Sequence, residues 1–273
     1  MKLYDFDGMF DEKLTEYVAK NRGKYTEEQL EDLVPKLYKK FGETFISAVG
    51  DTPNGFFKKL TNEQLIFALT LHLKKGVPIS GFMRAELESR PIKDLLIPLL
   101  DGTEKEREIA MELLGAEDGV IKKYLELLVN SDDEDFKNAC VEYIKEKADL
   151  VTADALKYYK EGKDKELMLE IMSRSVIRCD EVFNTLLTAF RCDGENLPLH
   201  ASYLAAYGDE RALPYLMDRI EGEVTFPEFR ELKFAIESLG GEYEKERDFS
   251  DDGDYQKIKE SGPADIFGGT GGV

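Results

Sequence analysis

The sequence predicts an all-α fold: a solenoid of about five stacked helix pairs behind an irregular helical N-terminal block. Three observations predict it. Apolar residues recur at helical spacing in run after run, as from Phe229 to Leu239. Turn residues punctuate those runs, as at Asp101-Gly102 and Glu221-Gly222. From Pro91 onward the runs fall in pairs that begin about 28 to 33 residues apart, the range of two-helix repeats. One such pair is too small to bury its own apolar face, so stacking must supply the continuous core.

In the N-terminal block, Phe10, Leu14, Tyr17 and Val18 mark a helix ending near Asn21. Thr26-Glu27-Glu28-Gln29 has the pattern of a capping box and opens a helix to about Phe41. Its inner face carries Leu30, Leu33, Val34, Leu37 and Tyr38, and Pro35 is expected to kink or shorten it. Gly50 to Gly55 breaks the chain. Thr61-Asn62-Glu63-Gln64 opens a very apolar helix that Lys74-Lys75-Gly76 closes. Another helix follows Pro78-Ile79-Ser80 and runs through Leu87.

The paired rhythm then begins. Ile92 to Leu100 is followed by a helix capped by Thr103 and ended by Gly115. Val120 to Val129 precedes a helix carrying Phe136, Ala139, Cys140, Tyr143 and Ile144. Ala153 to Tyr159 is joined to Leu167 to Met172 by Glu161-Gly162-Lys163-Asp164. Glu181 to Phe190 turns at 193–196 into Leu199 to Tyr207, and Arg211 to Ile220 turns into Phe229 to Leu239. The expected organisation is a helical cap or diverged repeats over 1–90, the array over 91–240, and an acidic then Gly-rich flexible tail over 241–273. In that tail Ile266 and Phe267 form an isolated apolar pair able to dock on a groove.

Composition narrows the function. Hydrophobic residues make up 42 % of 273 residues, enough to build a core. The net charge of −19 repels a phosphate backbone, so no nucleic-acid partner is expected; a basic partner or simple solubility fits. No apolar run approaches a membrane span, and the first residues lack a secretory pattern, so the expected location is the cytoplasm, with no membrane partner. Cys140, Cys179 and Cys192 match no metal spacing. The last two bracket one helix on the order of 20 Å long, too far apart to bridge, and all three read as buried apolar thiols.

Tyr207-Gly208-Asp209-Glu210-Arg211-Ala212-Leu213-Pro214 resembles a HEAT repeat of the phycobilisome-lyase-like class, an armadillo-like architecture. In this stretch Gly208 lets the chain leave one helix, Asp209 caps the next, and Pro214 can bend it. Ile92 to Gly115 keeps the pairing and Pro98 without the Asp-x-Arg step. The resemblance implies a right-handed α-α superhelix and protein–protein binding. It leaves one alternative, a nucleic-acid-processing enzyme resembling the alkylpurine DNA glycosylases; a further alternative is an acidic protein that mimics nucleic acid.

No constellation for catalysis, cofactor or metal emerges. His72 and His200 are the only histidines, and no nucleophile-elbow motif is present. Neither histidine is followed by glutamate, which separates the chain from HEAT proteins resembling di-iron hydroxylases with His-Glu pairs. Asp251-Asp252-Gly253-Asp254 lacks the spacing and terminal glutamate of a calcium loop. Gly268 to Gly272 has neither a strand before it nor a helix after it to cradle phosphate.

The expectation is therefore a non-enzymatic scaffold binding a protein or peptide on its concave face. Arg174, Arg178, Arg191 and Arg211 fall in two adjacent units of an acidic chain. His200, Tyr203 and Tyr207 share one face of a second helix, the helix that lines the concave side of such solenoids. Aromatic and arginine side chains dominate binding hot spots. The expected partner surface is thus His200, Tyr203, Tyr207, Arg174, Arg178 and Arg191. The competing reading has the tyrosines packing between units and the arginines pairing with local carboxylates.

Overall fold

The computed structural model describes residues 1–192, 194 and 196–261. Within them the chain forms sixteen α-helices and no β-strand, apart from one isolated bridge between Ile46 and Asp51. It divides into two compact units, the first ending at Gly115 and the second beginning at Ala116. The expected boundary at 90/91 falls inside the first. The tail pair Ile266-Phe267 and the turn positions 193 and 195 lie outside the described residues. No helix among the described residues is long and apolar enough to cross a membrane.

The first unit contains α1 (Phe6–Lys20), α2 (Glu27–Gly42), α3 (Pro53–Lys58), α4 (Asn62–Lys75), α5 (Gly81–Glu88), α6 (Lys93–Leu96) and α7 (Glu104–Leu114). Thr26, Thr61 and Thr103 all close capping boxes, so three helix starts follow local chemistry. Pro35 neither shortens nor stops α2. It costs the helix one hydrogen bond, but both Pro35 and Glu31, whose carbonyl loses its donor, are exposed, so water can serve that oxygen. Ile92 to Leu100 is only briefly α-helical; from Ile97 it tightens into a 3₁₀ turn containing Pro98. The core is aromatic: the Phe6 ring lies 5.6 Å from Phe57, and Tyr38 stacks on Phe82 at 4.3 Å.

The second unit contains α8 (Asp118–Val129), α9 (Glu134–Lys145), α10 (Thr152–Lys160), α11 (Lys165–Ser173), α12 (Asp180–Cys192), α13 (Leu197–Tyr207), α14 (Leu213–Glu221), α15 (Phe226–Ser238) and α16 (Gly253–Ser261). Four neighbouring pairs result: α8 with α9, α10 with α11, α12 with α13, and α14 with α15. Their second members also touch in order, α9 to α11, α11 to α13, and α13 to α15. The core lies between them, with Tyr124, Leu128, Ile144, Met172 and Leu204 almost wholly buried.

Three local expectations change. Ala139 faces solvent, and Lys137 takes the buried place on α9. Its ammonium lies 2.9 Å from Glu134 and 2.7 Å from Asp164, so the charge enters the interior paired. Of the thiols only Cys140 is buried; Cys179 and Cys192 are exposed at the two ends of α12. Residues 242–252 are not a loose tail: Tyr243 is buried, the Phe249 ring lies 5.1 Å from Phe229, and Asp252 accepts a hydrogen bond from the Phe226 N–H. The aromatic residues among the acidic ones anchor this segment to α15.

Burial pushes the phenols of Tyr38, Tyr124 and Tyr203 well above the ordinary tyrosine range, and Asp7 and Glu166 add to the effect at Tyr38 and Tyr203. The folded state thus favours the neutral phenol. That contribution is intact below the unfolded value of about 10 and is lost as pH rises through the higher folded values. At least these three of the thirteen tyrosines are expected to ionise only as the helices melt. Absorbance at 295 nm followed with circular dichroism checks this; full reversible titration of every tyrosine with helicity intact would contradict it.

Candidate functional site

The segment 174–179 joins α11 to α12. It carries two of the most exposed large apolar side chains in the described residues, Val176 at 72 % and Ile177 at 55 % exposure. Single exposed apolar residues need no explanation, but an adjacent pair on a fixed backbone does. This backbone is fixed from both sides.

On one side stands Asp149, in the 3₁₀ turn Ala148–Leu150 before α10. Its Oδ1 accepts from the buried Ser175 hydroxyl at 2.7 Å and from the Val176 N–H at 2.8 Å. Ser175 Oγ in turn accepts from the Ile177 N–H at 3.2 Å. The Ser175 hydrogen bond, helped by the Val176 and Ile177 amides and the Arg178 charge, holds the Asp149 carboxyl below the usual carboxylate range. A depressed carboxylate contributes its stability above the unfolded value, and the contribution fades as pH falls through the folded one.

On the other side stands Tyr207, fully buried on α13. Its phenol oxygen accepts from the Cys179 N–H at 2.8 Å and has the carbonyls of Ile177 and Cys179 at 3.2 and 3.3 Å for its own proton. Arg178 lies over the Tyr207 ring at 4.7 Å and donates to the Ser175 carbonyl at 2.9 Å. Gly208 ends α13 with φ +71°, and a Cβ there would stand 3.1 Å from the Arg178 guanidinium. Glycine serves both the left-handed cap and the space the arginine occupies.

Beside the loop runs a groove of about 570 Å³ between α10 and the start of α12. Its apolar lining is Ala153, Leu156, Ile177 and Val182. At its rim Lys160 pairs with Glu181, and Lys157 lies 3.9 Å from Glu161, so the rim charges largely cancel. The arrangement offers apolar contact on a pre-shaped surface.

The six residues expected to form a partner surface are divided by the structure. Tyr207 and Arg178 belong to the brace behind the loop. His200 and Tyr203 are buried between helices, and His200 Nε2 lies 3.1 Å from Glu166 on α11. Burial, followed by the charges of Glu166 and Glu170, raises the Tyr203 phenol; the exposed Arg174 opposes that effect. Arg191 is exposed and sits over the Tyr215 ring at 5.6 Å.

The placement of His200, Tyr203 and Tyr207 on an open face is therefore corrected. Helix α13 is flanked by α11, α12 and α15, so the side that carries these residues is packed. Arg211 is held by Asp209 and Asp180 at 2.7 Å each, and its guanidinium covers Phe183 at 4.4 Å. Pro214 sits in the first turn of α14, where proline starts a helix without bending it.

The sequence pattern does not single out Asp149, Ser175, Val176 or Ile177. One signal was available: Val176 and Ile177 are β-branched apolar neighbours that belong to neither flanking helical period. Comparison of the chain with protein-family models, with curated proteins and with solved structures finds no match.

Proposed function

We propose that this chain is a helical-repeat scaffold without catalytic activity of its own, binding a protein or peptide segment at the 174–179 loop and its groove. The observation that carries the reading is the exposed Val176-Ile177 pair on a loop held by Asp149 and Tyr207. A surface already ordered in the free protein loses little conformational freedom on binding, so its apolar contact converts more fully into affinity. The successive pairs α8–α9 to α14–α15, with their second helices touching in order, support the further reading that they coil as a right-handed α-α superhelix of the HEAT kind. The binding surface then lies along the edge formed by α10 and α12, in place of the concave face that the buried α13 residues suggested.

The occupant is a segment with two or three apolar anchors flanked by basic residues, since a net charge of −19 draws cations and repels acids at long range. The test is capture with the wild-type chain and with a Val176→Ser/Ile177→Ser variant, followed by reconstitution with the purified captured protein. Loss of one specific basic-flanked partner in the variant supports the reading. Equal capture by both would remove this loop from the function.

A further inference from the structure

The first unit holds a separate apolar groove whose charged lining residues are both lysines, in a chain of net charge −19. Helices α1 and α2 form a hairpin: Phe10, early in α1, meets Phe41, at the end of α2, with ring centroids 5.6 Å apart. Between them lies a groove of about 270 Å³. From α1 it is lined by Phe10, Lys13, Leu14 and Tyr17; from α2 and the turn after it, by Leu37, Lys40, Phe41 and Thr44. Both sets follow the i, i+3, i+4, i+7 pattern, so each helix turns a continuous stripe toward the opening. Leu14 and Leu37 are left half-buried at the opening, and Tyr17, half-buried beside them, has Tyr25 stacked on its ring at 6.3 Å.

The charges decide what an occupant of the groove carries. Lys13 and Lys40 are the charged residues of the lining, one on each wall. Lys13 lies 5.1 Å from the Phe41 ring centroid, and neither lysine is ion-paired with a carboxylate among the described residues. In a chain with 56 acidic and 37 basic side chains, a groove whose charged lining residues are two lysines without a carboxylate partner runs against the average. Nearby, Glu16 is paired with Lys20 on α1 and so is partly neutralised.

We infer that this groove binds an amphipathic helical peptide whose apolar face is flanked by acidic residues. The eight residues from Phe10 to Tyr17 run for about 12 Å, so the contact takes two to three turns of the incoming helix. The peptide's apolar side chains cover Leu14, Leu37 and Tyr17, and a carboxylate on each flank meets Lys13 or Lys40. The inference concerns the first unit alone and is independent of the 174–179 loop, which calls for a basic partner.

Two fluorescein-labelled helix-forming peptides test it. They share one Leu/Phe face, and one has glutamates on its flanks where the other has lysines. Anisotropy with the full chain is expected to show the glutamate peptide binding about tenfold more tightly, despite the net charge of −19. Lys13→Glu/Lys40→Glu is expected to reverse the order, and Lys13→Gln/Lys40→Gln to erase it; all four changes are at exposed positions and leave the fold intact. A preference of the wild type for the lysine peptide, equal binding of the two, a preference indifferent to the lysine variants, or no saturable binding would each overturn the inference.

Discussion

Replacing Tyr207 with alanine is expected to destabilise the chain by about 3–5 kcal/mol, the range for emptying a large buried aromatic site. Tyr207 is fully buried, so no surface rearrangement can fill the space cheaply. The cost has two parts that a second variant separates. Tyr207→Phe keeps the ring and the Arg178 stack but removes the oxygen that accepts from the Cys179 N–H. Leaving that donor without its partner is expected to cost about 1–3 kcal/mol. Urea unfolding followed by circular dichroism measures both, with unchanged m-values if the unfolded state is unaffected. A Tyr207→Phe protein as stable as wild type would mean that the phenol oxygen does not hold the loop.

The Val176→Ser/Ile177→Ser variant is expected to do the reverse: lose the partner and keep the fold. Both side chains are mostly in water, so their truncation should change stability by no more than about 0.5 kcal/mol. Their backbone bonds to Asp149 and Ser175 do not involve the side chains that change. As interface anchors, each is expected to contribute on the order of 1–2 kcal/mol, so affinity for the reconstituted partner should fall about 30-fold to several hundred-fold. Titration calorimetry beside a melting curve reads both quantities. A clear drop in melting temperature would assign the pair to packing, and an unchanged affinity would exclude it as a docking surface.

Helices were legible where their ends carry local chemistry. Thr26, Thr61 and Thr103 signal capping boxes within four residues, and Gly76 and Gly208 mark left-handed caps. Pairing from Pro91 onward was legible because the apolar period and the turns recur. Burial of α13 was not, since its apolar stripe reads the same whether one neighbour covers it or three do. The loop was hidden for a related reason. Asp149 reaches Ser175 from 26 positions earlier and Tyr207 reaches Cys179 from 28 positions later, and no local pattern encodes either meeting. The packing of Tyr243 and Phe249 was masked by the acidic residues around them.

The proposed docking surface requires a 174–179 backbone that is rigid before any partner arrives. Amide hydrogen exchange of Val176 and Cys179 in the free protein tests it most directly, because their N–H groups bond to Asp149 and Tyr207. Slow exchange is expected at both amides, with protection at Cys179 falling at least tenfold in Tyr207→Phe while the amides of α8 keep theirs. Exchange at Val176 and Cys179 as fast as in an unstructured peptide would contradict it.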